Sequence, residues 1–260
     1  MWQDKGTKRE DKITVAITLE KKRKALEEFT KKILSSKVKD KVAKIVLFGS
    51  VGKNMANADS DVDLLVFGTS NLAEISEACA QASLETAIEL KESVEPLIYC
   101  LDDLRFSPSY FLYSALKDGE EVFTMKEEES KKKEALNYQL LAQEYLEGAE
   151  LNLENELYRL AVDAAYNAAE LCAKGLLLLK LSDIPTSHGG IIGMFGELFV
   201  KTEVVPNQIG RGLNRNLQLR NKARYDFHAL ITKEDAEKAI DLAKKLVAIF
   251  RESYNYPIEN

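Results

Sequence analysis

The sequence predicts an α+β domain, a small mixed sheet with flanking helices, followed by an all-α helical bundle. Three observations carry this. Helical and strand-like apolar patterns alternate over residues 18–125, an almost uniformly charged stretch follows, and every later pattern is helical. The charged stretch runs from Lys126 to Glu134, with eight charges in nine residues and no large apolar group. It reads as a linker or an exposed helix start, and it places the domain boundary at 1–127 and 128–260.

In the first half, Leu26, Phe29 and Ile33 lie on one face of a helix over about residues 18–36. Lys44–Phe48 is a short apolar strand that stops at Gly49, and Val62–Phe67 is a second strand. Leu72, Ile75, Cys79 and Ala82 mark the buried stripe of the next helix. Val94–Cys100 is a third strand, and its Pro96 favours a sheet edge because proline has no N–H to give a neighbour. Ser107–Leu116 predicts a short helix and Glu121–Met125 a fourth strand.

In the second half, helices are expected over 135–153, 155–181, 188–201, 207–224 and 233–254, with Pro185 and Pro206 in the breaks. The stretch Leu157–Leu181 is apolar on most sides and so is expected at the centre of the bundle, with Tyr166 and Cys172 in its core. His188, before Gly189-Gly190, caps or starts a helix.

Composition narrows the function. Hydrophobic residues make up 45% and charged residues 30% of the 260, enough for a packed core without covalent staples. Three widely spaced cysteines, Cys79, Cys100 and Cys172, form neither a disulfide framework nor a zinc motif. They are expected as small buried thiols in a reducing compartment. Met1–Lys12 is polar, with no apolar segment of a secretory signal, and the apolar runs, such as Gly175–Leu179, are too short to span a membrane. A cytoplasmic protein is expected. The net charge of −6 excludes a broad footprint for duplex nucleic acid. A local basic run does occur from Arg211 through Arg215, Arg220, Lys222 and Arg224, and it reads first as a solvated helix face.

The chemistry concentrates between Phe48 and Asp63. Gly49 and Ser50 end a strand and open a helix, where unpaired backbone N–H groups favour an anion. Glycine allows a phosphate close to the backbone, and the serine hydroxyl adds a donor. After the ten residues that follow Ser50 come Asp61 and Asp63, at i and i+2. On a strand these project from one face, about 7 Å apart at their Cα atoms, while Val62, Leu64 and Val66 face the opposite, buried side. Two such carboxylates repel unless a cation bridges them, and oxygen-only ligands select magnesium or manganese. A pair of these ions supports in-line displacement of pyrophosphate.

Gly49-Ser50 followed by Asp61-Val62-Asp63 resembles the motif of the polymerase-beta-type nucleotidyltransferases, especially the minimal nucleotidyltransferases of prokaryotes. Lys53 stands where relatives tend to have Arg, and keeps the charge without the bidentate fork. Asn54 replaces a glycine and tolerates the left-handed conformation better than most residues. Val51 and Gly52 match more loosely. The resemblance covers about residues 20–125 and implies a nucleotide cradle of Gly49, Ser50, Lys53 and Ser60. It also implies metal ligands at Asp61, Asp63 and a third carboxylate from a neighbouring strand. Glu95 is the candidate, also as general base for the acceptor hydroxyl, with Glu92 and Asp102 as competitors.

The second half resembles the HEPN domains through Leu160–Ala169, Thr186–Gly190, Phe199–Thr202 and Leu219–His228. Many of these are RNases that pair an Arg and a His four to six residues apart across a dimer interface. Here Arg220 and His228 are separated by seven residues and Arg224 and His228 by three, and Leu230 stands where some relatives carry a modified tyrosine. Arg220, Arg224 and His228 are the candidate HEPN site, and His228 reads better as an ordinary histidine.

Together the resemblances imply an enzyme that moves a nucleoside monophosphate, AMP from ATP, to a hydroxyl of a protein or small molecule. They imply magnesium or manganese as cofactor, a homodimer, and a toxin–antitoxin-like setting. The alternative is an RNA-binding or RNA-cleaving HEPN module regulated by its nucleotidyltransferase half.

Overall fold

The computed structural model of the chain describes residues 7–104 and 107–255. Residues 1–6 of the polar N-terminal stretch lie outside the described residues. The chain divides into two compact units, residues 1–126 and 127–260.

The first unit is built on a four-stranded sheet of order β3-β2-β1-β4. Its strands are β1 (Val42–Leu47), β2 (Val62–Gly68), β3 (Val94–Cys100) and β4 (Glu120–Thr124). β1 runs antiparallel to both β2 and β4, whereas β2 and β3 are parallel, so the sheet is mixed. β3 is an edge strand, which accommodates Pro96.

Helices α1 (Thr7–Ser35) and α3 (Leu72–Leu90) cover one face of this sheet. Ala25, Leu26, Phe29 and Ile33 of α1 and Ile75, Cys79 and Ala82 of α3 pack there with Val62, Leu64 and Val66. The other face is covered further along by α4 (Tyr110–Asp118), whose Leu112 and Ala115 pack on Val46, Leu65 and Phe67. β2 is therefore buried on both sides from Leu64 onward, and Asp63 lies at the half-buried start of the strand. The expected helix over Ser107–Leu116 begins later, because Ser109 accepts from the Leu112 N–H and caps α4 there. α1 also starts earlier than its apolar stripe suggests, with no breaker between Thr7 and the amphipathic segment.

The second unit holds α5 (Glu127–Glu154), α6 (Tyr158–Lys180), α7 (His188–Phe195), α8 (Asn207–Tyr225) and α9 (Lys233–Asn255). α7 runs on into a π-helical turn over Gly196–Val200. The charged stretch after Lys126 is the start of α5, where Glu127–Glu129 oppose the positive end of the helix dipole and Lys131 and Lys133 pair back at i+4. α6 is central: it packs against α5, α7, α8 and α9, and its alanines let those helices approach closely. No helix among the described residues is long and apolar enough to cross a membrane.

Candidate active site

The end of β1 and the start of β2 are held together by the Phe48 N–H, which donates to the Asp63 carbonyl at 3.0 Å. The chain then turns through Gly49 at φ +70° into α2 (Gly49–Gly52), a single helical turn. A β-carbon on Gly49 would lie 2.0 Å from Asp63 Oδ2, so only glycine lets the backbone pass this close to the carboxylate. Asn54 sits in the left-handed region at φ 55°, as its short amide side chain allows.

Asp61 falls one residue before β2 rather than on it, since Val62 is the first paired residue and donates its N–H to the Ser93 carbonyl. Asp63 is half-buried and pairs in register with Glu95 on parallel β3. Residues in register on neighbouring strands project to the same face. The Asp63 carboxyl is held above the ordinary aspartate value, first by burial, then by the charge of Glu95, then by that of Asp61. The charges of Glu95 and Asp61 thus both bear on the Asp63 carboxyl beside the Gly49 turn. No group of three or more His, Cys, Asp or Glu side chains among the described residues is already drawn in to metal-binding distances. The donor set still fits a hard divalent cation: it is all oxygen, its charges repel, and the Gly49 cradle leaves Asp63 Oδ2 uncovered by a side chain.

The competitors of Glu95 are otherwise placed. Glu92 is ion-paired with Lys22, a lysine only 3% exposed that also donates to the Ala58 carbonyl at 3.3 Å. Lys22 thereby ties the loop before Asp61 to the turn before β3, a positioning role that nothing in the local sequence signalled. Asp102 lies in the 3-10 turn that follows β3.

Of the expected nucleotide-cradle residues, Gly49 and Ser50 form the turn and Lys53 stands exposed at its end. Ser60 does something else. Its hydroxyl accepts from the Asn57 N–H at 3.0 Å and donates to Asn57 Oδ1 at 3.2 Å, closing the loop that delivers Asp61. Beside the turn lies a cleft of about 490 Å³, lined by Phe48, Gly49 and Lys53 on one side and residues of α4 on the other.

Residues 27–141 match the nucleotidyltransferase domain and residues 140–253 match the HEPN domain. A protein of Methanocaldococcus jannaschii named "Putative toxin" is 40% identical over 107 residues, which span 41% of this chain and 78% of that protein. A second protein of that organism with the same description is 34% identical over 96 residues, 37% of this chain and 65% of its own length. A third, named "Putative protein adenylyltransferase", is 31% identical over 72 residues, 28% of this chain and 71% of its own length. The chain belongs to the nucleotidyltransferase and HEPN families. Its first unit is a nucleotidyltransferase.

In the HEPN unit two of the expected trio, Arg220 and Arg224, meet on Asp163. Arg220 is buried and bonds Asp163 Oδ1 at 3.2 Å, with its guanidinium over the rings of Tyr166 and Tyr225. Arg224 reaches the other oxygen of Asp163 at 3.4 Å. His228 is exposed on the loop after α8, its ring against Phe227. The remaining basic residues of the run, Arg211, Arg215 and Lys222, are exposed as a solvated face.

Two features of this unit join residues far apart in the sequence. Glu170, 5% exposed, accepts from the Tyr166 hydroxyl at 3.0 Å and bonds His188 Nδ1. Burial and this carboxylate push the Tyr166 phenol upward. Arg159 spreads its guanidinium over the carbonyls of Ala223 (2.8 Å), Asp226 (2.9 Å), Phe227 (3.4 Å) and Ala229. The thiols are free: Cys79 and Cys172 are buried and both pushed up to about 12 by desolvation, and Cys100 donates to Asp103 Oδ2 at 3.1 Å.

Proposed function

We propose that the nucleotidyltransferase unit moves AMP from ATP to a hydroxyl group, with a protein hydroxyl ahead of a small molecule as acceptor. The observation that carries this reading is the register of Asp63 with Glu95 beside a glycine turn pressed against Asp63. It sets three carboxylates next to a backbone that a phosphate chain can approach. The acceptor oxygen attacks the α-phosphorus, the bond to the bridging pyrophosphate oxygen breaks, and Glu95 takes the acceptor's proton. Asp61, Asp63 and Glu95 would hold magnesium or manganese, which supplies charge stabilisation for the departing pyrophosphate. Lys53 steadies the triphosphate as a point charge. The name of the adenylyltransferase relative supports both the base and the protein acceptor.

The HEPN unit is read as the module that pairs copies of the chain into a homodimer and helps select the acceptor, in a toxin–antitoxin-like setting. RNA is the other partner that its family suggests.

The test is transfer of label from α-labelled ATP to a panel of proteins and small hydroxyl compounds, with magnesium. Asp61→Ala and Asp63→Ala should reduce transfer and pyrophosphate release to background while the far-ultraviolet circular dichroism stays unchanged. Equal release by wild type and Asp63→Ala would overturn the catalytic reading.

A further inference from the structure

The cleft beside the Gly49 turn has a second wall that the catalytic reading does not use. Tyr110, Ser114 and Asp118 lie four residues apart along α4, so they form one row on the same helix face, about 12 Å long. All three line the cleft. Tyr110 is 83% exposed, an unusual position for a large ring at the start of a packed helix. Phe111 lines the cleft next to it and braces against Phe48 at 5.6 Å and 80°, so the aromatic wall is fixed to the residue that precedes Gly49.

The polar end of the row is equally unspent. Neither the Ser114 hydroxyl nor the Asp118 carboxylate has a hydrogen-bond or ion-pair partner among the described residues. Asp118 is the last residue of α4, where the negative end of the helix dipole disfavours a carboxylate. A charge kept where the fold gains nothing from it is a mark of a binding role. The cleft thus holds the cation of Lys53, two aromatic rings, a hydroxyl and a carboxylate acceptor.

That set of chemistries suits a nucleotide laid with its phosphates toward Lys53 and its base toward the aromatic and polar row of α4. We propose that this cleft is the nucleobase subsite of the nucleotidyltransferase unit and that the row Tyr110–Ser114–Asp118 selects adenine. The inference rests on the catalytic reading above and deepens it. The base stacks on Tyr110 and Phe111, its exocyclic amino group donates to Asp118, and its neighbouring ring nitrogen accepts from Ser114. Guanine or uracil in the same placement turns a carbonyl toward the Asp118 carboxylate. Cytosine offers the same donor–acceptor pair with a smaller face to stack.

The test is calorimetric binding to the full chain, with magnesium and no acceptor, of ATP, GTP, purine riboside triphosphate (which lacks the amino group) and inorganic tripolyphosphate. Wild type should bind ATP about tenfold tighter than the purine analogue, the scale of one hydrogen bond to a charged group. Asp118→Ala should erase that difference and leave tripolyphosphate binding unchanged. Tyr110→Ala should weaken every nucleoside triphosphate about tenfold, the scale of one lost stacking contact, again without affecting tripolyphosphate. If Asp118→Ala keeps the wild-type preference while transfer still depends on Asp63, the subsite is wrong and the catalytic reading stands. If wild type binds neither ATP nor tripolyphosphate and transfers nothing, both fall.

Discussion

Asp63 Oδ2 occupies the place where a β-carbon on Gly49 would stand, 2.0 Å from it. The carboxylate and the glycine are therefore one structural device. The first strand can turn at φ +70° against the second only because nothing projects from residue 49.

Gly49→Ala should accordingly do two things. The left-handed backbone costs an L-residue about 1–2 kcal/mol, and the new methyl group must push the Asp63 carboxylate aside. Nucleotide transfer should fall to background while the urea midpoint drops only modestly. A variant with wild-type turnover would show that the contact between these residues is not needed for the reaction.

Asp63 also makes stability depend on pH. Its folded carboxyl is raised by burial and by Glu95 and Asp61, so the folded state holds the proton more tightly than the unfolded chain. The unfolded chain then binds fewer protons in the window above the ordinary aspartate value of about 4, and stability falls as pH rises through it. Asp63→Asn should melt at a higher temperature than wild type near pH 7 with a chelator present, and the gap should close as pH falls below about 4. Magnesium should raise the melting temperature of wild type more than that of the variant. A gap that is independent of pH would mean that the Asp63 charge carries no strain in the fold.

Much of this was readable along the chain because the signals are local. Gly49-Ser50 and Asp61-Val62-Asp63 stand out by their spacing, and the strand over Val94–Cys100, with Pro96 at a sheet edge, is legible from its apolar run, whereas the choice of Glu95 over Glu92 and Asp102 comes only with the resemblance. The fold class follows in the same way from the change of apolar period near residue 126. What could not be read is what folding brings together. Glu170 meets His188 across a helix break, and Arg220, which resembles a candidate nuclease residue in sequence, is occupied by Asp163 on α6. Ser60 looked like a cradle residue because of its neighbours, but its hydroxyl serves Asn57.

Lys22 belongs to that unread class. Its ammonium is buried, pairs with Glu92 and bonds the Ala58 carbonyl, and so fixes the approaches to Asp61 and Glu95 together. Lys22→Met would leave the Glu92 carboxylate without its partner in a site where its side chain is 13% exposed. Breaking such a pair from one side costs about 3–5 kcal/mol when fully buried, so a loss of about 3 kcal/mol is expected in urea denaturation. Lys22→Met with Glu92→Gln should recover part of that loss, because no unpaired charge then remains. Recovery of stability without recovery of transfer would identify the pair as a positioning device rather than a mere anchor.

The HEPN unit offers the parallel case in Arg159. The last carbonyls of a helix have no partner inside it, and here Arg159 supplies donors to Ala223 at the end of α8 and to three carbonyls of the loop beyond. The His228 and Ala229 N–H groups bond Asp226 Oδ1 in the same loop, so its order depends on the guanidinium from one side and on Asp226 from the other. Arg159→Ala should cost about 2–3 kcal/mol, the scale of losing hydrogen bonds from a charged donor. It should also speed amide hydrogen exchange at residues 226–229 while α6 stays protected. Arg159→Lys should restore little, because a single ammonium cannot spread over the carbonyls that the planar fork spans. The exposed Arg211 is the control: if Arg159→Ala shifts the urea midpoint no more than Arg211→Ala does, the loop holds itself and the four contacts contribute nothing.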